Sequence, residues 1–362
     1  MLKNYLKIAI RHFFRHKTYS AINLLGLSIA VTCCLLIGLF VRQENSYDSF
    51  HTKADRIYRP WVNEVYKNEP FVNTLTPYPL GPALVANYPE VEGMTRIVRI
   101  EGNVQNNGEI FTERIHLIEP DFFKLFDFPL VQQSSTAPIQ ELNSVIVTEA
   151  MAKKYFGKEN PIGKIIKIQL DSALEAFSVT AVAQDAPVNS SIRFDFLASF
   201  DHIKQIRTKK NLNHWHQVEA ETYVLLRPGT NAAQLETKFP AMVKAALGEK
   251  YQPKTYDVYL QPLQNIHLNN QLPEGLEPIS NPAYSYILAT IAGFIFIIAY
   301  INFMTLAIGR SAGRAREVGM RKVMGAVRRQ LIQQFGGEAL FLTFLAVLLG
   351  LLLTVILLPA FN

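Results

Sequence analysis

The chain has 362 residues, 49% of them apolar, and a formal net charge of +6. The positive balance is local: residues 42–283 hold 24 Lys/Arg against 28 Asp/Glu, while the other 12 basic residues lie in segments 1–19 and 310–329. Basic charge confined beside long apolar runs argues against nucleic-acid binding, and two adjacent cysteines, Cys33 and Cys34, argue against a disulfide-stapled secreted domain.

Residues 1–19 carry Lys3, Lys7, Arg11, Arg15 and Lys17 and no acid. Leu2, Leu6, Ala9, Ile10, Phe13 and Phe14 share one face, which predicts an amphipathic helix lying on the cytoplasmic membrane surface. Residues 20–41 form an uncharged run long enough to cross a bilayer, which takes about 20 apolar residues. It is too long for a signal-peptide core and no small-x-small cleavage site follows, so an uncleaved first span is expected. Asn23 is expected near the cytoplasmic end of this span, satisfied at the interface. Gly26 and Ala30 form a small-xxx-small pair suited to close helix approach.

The positive-inside rule then places residues 42–283 outside, as a mixed α+β domain. A short helix is predicted over 79–87 and a strand over 92–100. Asn106-Asn107-Gly108 is a turn signal between extended runs. A strand over 144–147 leads into a helix over 148–156 that Gly157 can stop. Strands are expected over 164–170, 177–182 and 223–227, and one helix over 231–247 after the turn at Pro228-Gly229. The Gly157–Lys164 stretch superficially resembles a phosphate loop, but its spacing is one residue too long. Ile165 occupies the Ser/Thr position and Pro161 removes a backbone donor, so a turn is the better reading. His214 and His216 would share a face only in a strand, with no further ligand at metal spacing, so an aromatic surface cluster is expected. No pattern sets a nucleophile beside a base, and no catalytic residue, cofactor or metal ligand is assigned.

The second span is predicted over 284–309. Asn302 lies deep within it and is expected to bond across to another helix; Ala289 and Gly293 form a second small-xxx-small pair. A cytoplasmic segment follows over 310–338. Its first 21 residues hold seven Arg/Lys against Glu317 alone. Met320, Val323, Met324, Val327 and Leu331 recur at i, i+3, i+4, i+7 and i+11, the spacing of one helical face. That face points either to lipid headgroups or to a docked soluble protein, and the residues alone favour lipid. A third span over 339–358 precedes the last residues, 359–362. Gly336-Gly337 lowers helical propensity before it and weakens the case for a continuous helix into that span.

Several segments together resemble a known family. RAREVGMRKVMGAVRRQLIQQF (314–335), LKIAIRHFFRHKTYSAINLLGLSIAV (6–31), YDSFHTKADRIYR (47–59), VIVTEAMAKKYFGKENPIGKIIKI (145–168), VTAVAQDAPVNSSIRFDFLASF (179–200) and LQPLQNIHL (260–268) resemble the MacB/FtsX-like permeases of ABC transporters in their long Bacteroidetes-type form. The resemblance implies a non-catalytic permease subunit of the bacterial inner membrane with a large periplasmic domain carrying an inserted subdomain. It implies coupling to a cytoplasmic ABC ATPase through Glu317, Val318, Met320, Arg321, Lys322, Val323, Met324 and Gly325, and reverses the preference for lipid on that face. The implied partners are that ATPase, a second permease half or an identical copy, a periplasmic adaptor protein and membrane lipid, but no nucleic acid. Export or efflux of peptide, drug or lipoprotein-type substrates is the implied process. The family unit has four spans, so a chain stopping after the third is expected to be an N-terminal portion. The competing reading is a membrane sensor with an external ligand-binding domain; re-entry into the membrane after about 25 residues leaves little room for its output domain.

Overall fold

The computed structural model describes residues 17–361 other than 68, 107, 136, 314 and 326. The amphipathic helix expected over residues 1–19 therefore lies outside the described residues, except for its last three. The chain divides into two compact units, Ser46–Asn281 and the flanking segments Met1–Asn45 with Pro282–Asn362.

The Ser46–Asn281 unit is built on one mixed sheet of twelve strands: β1 (Ile57–Tyr66), β2 (Glu69–Asn73), β3 (Thr76–Pro77), β4 (Val91–Asn106), β5 (Glu109–Ile118), β6 (Leu130–Gln133), β7 (Ser144–Thr148), β8 (Ile165–Gln169), β9 (Leu174–Ala183), β10 (Phe196–Ser199), β11 (Val218–Leu226) and β12 (Tyr256–Pro262). The main path runs β12-β1-β11-β4-β5-β10-β7-β9-β6. Most neighbours are antiparallel, but β10 pairs parallel with β5 and β7 parallel with β9. The unbroken apolar run of β7 follows from this: Ser144–Thr148 is buried at every position, as a strand flanked by two others and covered on both faces must be.

The middle of the sheet closes on itself. β4 pairs with β5, β5 with β10, β10 with β7, β7 with β9, β9 with β8, and β8 returns to β4 through Asn103↔Gln169, Val104↔Ile168 and Gln105↔Lys167. Inside this six-stranded ring lie Val104, Ile115, Ile168, Phe177, Val179 and Phe196, all fully buried. Gly102 sits where β8 crosses back. A Cβ there would come within 2.5 Å of Ile115 Cδ1 and 2.9 Å of the Gln169 carbonyl, so the closure needs glycine.

Eight-residue helices α1 (Leu80–Asn87) and α2 (Glu149–Phe156) appear where expected. The Thr148 hydroxyl caps the second by accepting from the Met151 amide, and Gly157 stops it at φ +62°. The single helix expected over 231–247 is instead two, α3 (Ala232–Glu236) and α4 (Phe239–Leu247). Pro240 lacks the amide hydrogen that a continuous helix would donate, so the break falls at the preceding turn, where proline is tolerated at a helix start. Leu235, Phe239, Met242 and Val243 then pack with Val62, Val224 and Val258 of the sheet.

Among the described residues, the second unit holds three helices long and apolar enough to cross a membrane: α5 (Lys17–Glu44), α6 (Pro282–Gly313) and α8 (Arg328–Phe361), with the short α7 (Ala315–Val323) between the last two. α5 packs against both other long helices. The Gly336-Gly337 pair does not interrupt α8. Two glycines cost about 1 kcal/mol each relative to alanine, less than leaving backbone groups unpaired beside an apolar medium. As helices, α6 and α8 extend beyond the expected spans, to Gly313 and from Arg328.

Candidate functional site

The segment between α6 and α8 is a ledge of exposed apolar residues set in basic ones. α7 ends because Gly325 adopts φ +87°, where glycine is unstrained. The Met324 amide donates to the Met320 carbonyl at 3.1 Å and the Gly325 amide to that of Lys322 at 3.0 Å, which satisfies carbonyls of the last turn. Val323 is 90% exposed and Met324 89%, the highest values for large apolar side chains among the described residues. Met320 and Val327 are also exposed, as are Lys322, Arg328 and Arg329 around them, while Val318 is half-buried. The side chains of Glu317 and Arg321 lie outside the described residues, so their expected pairing does too.

One expectation fails here. The five apolar residues do not share one helical face, because the chain turns between Val323 and Arg328. Leu331 falls on the next helix and is buried, leaving Met320, Val323, Met324 and Val327 as the exposed set.

Nor do the two intramembrane amides behave as expected. Asn23 is 2% exposed and neither amide atom has a partner among the described residues, because it faces the interior of the packed helices rather than an interface. Asn302 is exposed, with no hydrogen-bond partner among the described residues; its Nδ2 lies over Gly26, 3.6 Å from where a Cβ would be. Gly26 and Ala30 do face inward, whereas Ala289 and Gly293 are exposed, and a Cβ on Gly293 would meet nothing within 4 Å. The crossing polar contacts come from residues that sequence reasoning passed over. Thr32 Oγ1 donates to the Gly350 carbonyl and the Cys34 thiol to that of Ala292. A hydroxyl four residues after Ser28 was the available signal.

In the Ser46–Asn281 unit, charged groups converge where the chain enters and leaves. Arg59, 1% exposed, donates to Glu221 Oε1 at 2.5 Å and to Gln261 Oε1 at 2.7 Å. Asp48, fully buried at φ +56°, accepts from the Ser191 amide at 2.8 Å. Burial, with a smaller push from Glu221, raises its carboxyl to about 6. Tyr47 stacks on His267 with ring centroids 3.3 Å apart. Glu277 lies 3.5 Å from Arg99 and 3.8 Å from Arg114; burial raises its pKa while these arginines oppose the shift.

The two motifs set aside on sequence grounds are structural. The Gly163 amide donates to the Val179 carbonyl, so 157–164 is a turn entering the sheet. His214–His216 forms a turn rather than a strand, with His216 Nδ1 3.2 Å from Glu64 and its ring 5.5 Å from that of Tyr256.

The family description "MacB-like periplasmic core domain" matches residues 20–242, and "FtsX-like permease C-terminal" matches residues 289–362. The chain belongs to the MacB/FtsX-like family of ABC transporter permeases. This permease is 20% identical over 378 residues to the uncharacterized ABC transporter permease YvrN of Bacillus subtilis, covering 96% of the chain and 85% of that protein. It is 22% identical over 209 residues to the uncharacterized ABC transporter permease YknZ of the same organism, covering 57% of the chain and 46% of that protein. Among solved structures, it is similar to a domain assigned to a Porphyromonas gingivalis permease. The TM-score is 0.51 and the identity 21%, over 59% of this chain and 91% of that one, a likeness of fold alone.

Proposed function

We propose that this permease is the membrane subunit of a bacterial inner-membrane ABC transporter. A separate cytoplasmic ATPase docks on the Met320–Met324 ledge and drives its spans, and the motion passes to the domain formed by Ser46–Asn281 in the periplasm. Met320, Val323 and Met324 enter an apolar groove of the ATPase, with Lys322, Arg328 and Arg329 on the rim. A second permease half or an identical copy completes the membrane part, and a periplasmic adaptor joins the external domain. Export of a peptide, drug or lipoprotein-type substrate is the process this arrangement serves.

The observation that carries this reading is the exposure of Val323 and Met324, which are nearly free of the chain's own contacts on a helix capped by Gly325. Exposed apolar residues gathered on a capped helix mark a contact surface. Co-purification with the ATPase tests it. Met324→Asp would bury a charge in an apolar groove at a cost of several kcal/mol and should abolish recovery of the complex, whereas Arg329→Ala on the rim should change it little. Unchanged recovery with Met324→Asp would reduce the helix to a lipid-surface element. Reporter fusions at positions 107 and 313 should give opposite signals; equal signals would overturn the topology.

A further inference from the structure

We propose that residues 273–281 form a tether clasped to the β4–β5 hairpin by Glu277, so that the lead into the long helix α6 and the wall of the six-stranded ring open as one unit. The inference extends the coupling reading above by naming the route through the external domain.

The segment has no regular secondary structure, yet it is pinned along its length. The Thr74 hydroxyl donates to the Glu274 carbonyl at 2.9 Å. Gly275 then passes directly over the buried Arg59–Glu221 pair. A Cβ there would stand 2.5 Å from Arg59 Nη1 and overlap Glu221 Oε1, so only glycine lets the tether lie this close. Arg99 donates to the Leu276 carbonyl. The Ser280 amide donates to the His267 carbonyl at 2.7 Å, and the His267 ring carries the Tyr47 stack. The inbound and outbound leads are thus fastened to the same spot, one residue before Asp48 and two before Pro282.

Glu277 differs from the other anchors. Its side chain is only 14% exposed, and its Oε1 lies within 4 Å of two guanidinium groups without a directed hydrogen bond to either. Such a contact holds by charge between a shielded carboxylate and two partly exposed guanidinium groups and tolerates small displacement, unlike the short directed bonds of Arg59 to Glu221. The two arginines sit on adjacent strands of the hairpin, where Arg99 is opposite His116 and Arg114 is opposite Glu101. One residue beyond Glu101 is Gly102, where β8 closes the ring. The clasp therefore joins the outbound lead to the strand pair that both halves of the sheet share.

Hydrogen exchange of the full chain in lipid nanodiscs, read by mass spectrometry, tests this. In the unaltered chain, the 276–280 segment, read at the Ser280 amide that donates to the His267 carbonyl, and amides 99–104 should show matched protection. Glu277→Ala should accelerate exchange at 276–280 at least tenfold and break the match, while β7 and β9 stay unchanged. Glu277→Gln, which keeps the shape and an acceptor but not the charge, should fall between and serves if the alanine variant does not fold. Lys204→Ala, which removes an exposed ion pair elsewhere, should leave every segment unaltered. Unchanged protection of 276–280 in both Glu277 variants, or faster exchange with the match retained, would overturn the proposal. No ATPase is present in these samples, so failure of the ledge to bind an ATPase is a separate result.

Discussion

Thr32 in the first long helix donates its hydroxyl hydrogen to the backbone carbonyl of Gly350 in the third, at 3.1 Å, while also donating to its own Ser28 carbonyl at 2.8 Å. The helices can come this close because Gly350 has no side chain. A Cβ there would lie 2.8 Å and 2.9 Å from the Cγ1 and Cβ of Val31 and 3.1 Å from the Ser28 carbonyl. Close approach through small residues is what holds helices together where burial of apolar surface drives nothing.

Gly350→Leu should therefore separate the first and third helices. Overpacking of this kind costs about 1–3 kcal/mol. Spin labels on the two helices should report a longer, broader distance, while Gly293→Leu, which meets nothing within 4 Å, should leave that distance alone. An unchanged distance with Gly350→Leu would mean that the contact does not organise the helices.

The two tryptophans, Trp61 and Trp215, both lie in the Ser46–Asn281 unit, so their fluorescence follows its unfolding selectively in the full chain. By this readout, Gly102→Ala should lower the midpoint by several degrees. Ile115 and the Gln169 backbone must both move to admit the methyl group, at about 1–3 kcal/mol. A midpoint within a degree of the parent's would show that the ring closure is looser than its geometry.

Removing one member of the buried Arg59–Glu221 pair leaves a charge unpaired in the interior. Glu221→Leu should cost about 3–5 kcal/mol. The double change Arg59→Met with Glu221→Leu should cost less than that single change, because no charge is then stranded. Equal or greater loss in the double variant would point to packing rather than charge as the origin of the effect.

Asp48 and the buried histidines predict opposing pH trends. The Asp48 carboxyl holds its proton up to about pH 6 when folded, against 3.8 when unfolded. The unfolded state binds fewer protons in that window, so this term lowers stability as pH rises from about 4 to about 6, by on the order of 3 kcal/mol. Burial depresses His51 to about 4 and, with help from Arg99 and Arg114, His116 to about 3. Both stay neutral when folded but gain a proton on unfolding below 6.5, so their terms remove stability as pH falls from about 6.5 toward 3–4. Asp48→Asn keeps the carbonyl that accepts from Ser191 and removes the first trend. Its tryptophan-detected midpoint should exceed the parent's at pH 7.5 and converge with it near pH 4. A variant less stable than the parent at pH 7.5 would contradict the direction assigned to Asp48.

Local chemistry alone settled much of this protein. Apolar runs of bilayer length, the Thr148 cap with the Gly157 stop, and the Gly108 and Gly229 turns each depend on neighbours in sequence, and each is found. Gly325 likewise ends its helix by its own conformational freedom, but the even spacing of Met320, Val323, Met324, Val327 and Leu331 did not reveal the turn that leaves Leu331 buried on the next helix. Tertiary structure decided what depends on distant partners. The closing of β8 onto β4 rests on Gly102 meeting Gln169, 67 residues away in the chain. Asn23 is buried, with no hydrogen-bond partner among the described residues, because of how other helices pack on it, which no local pattern encodes. The Glu277 clasp brings together charges from β4, β5 and the outbound lead, more than 160 positions apart, which only the fold places within 4 Å of one another.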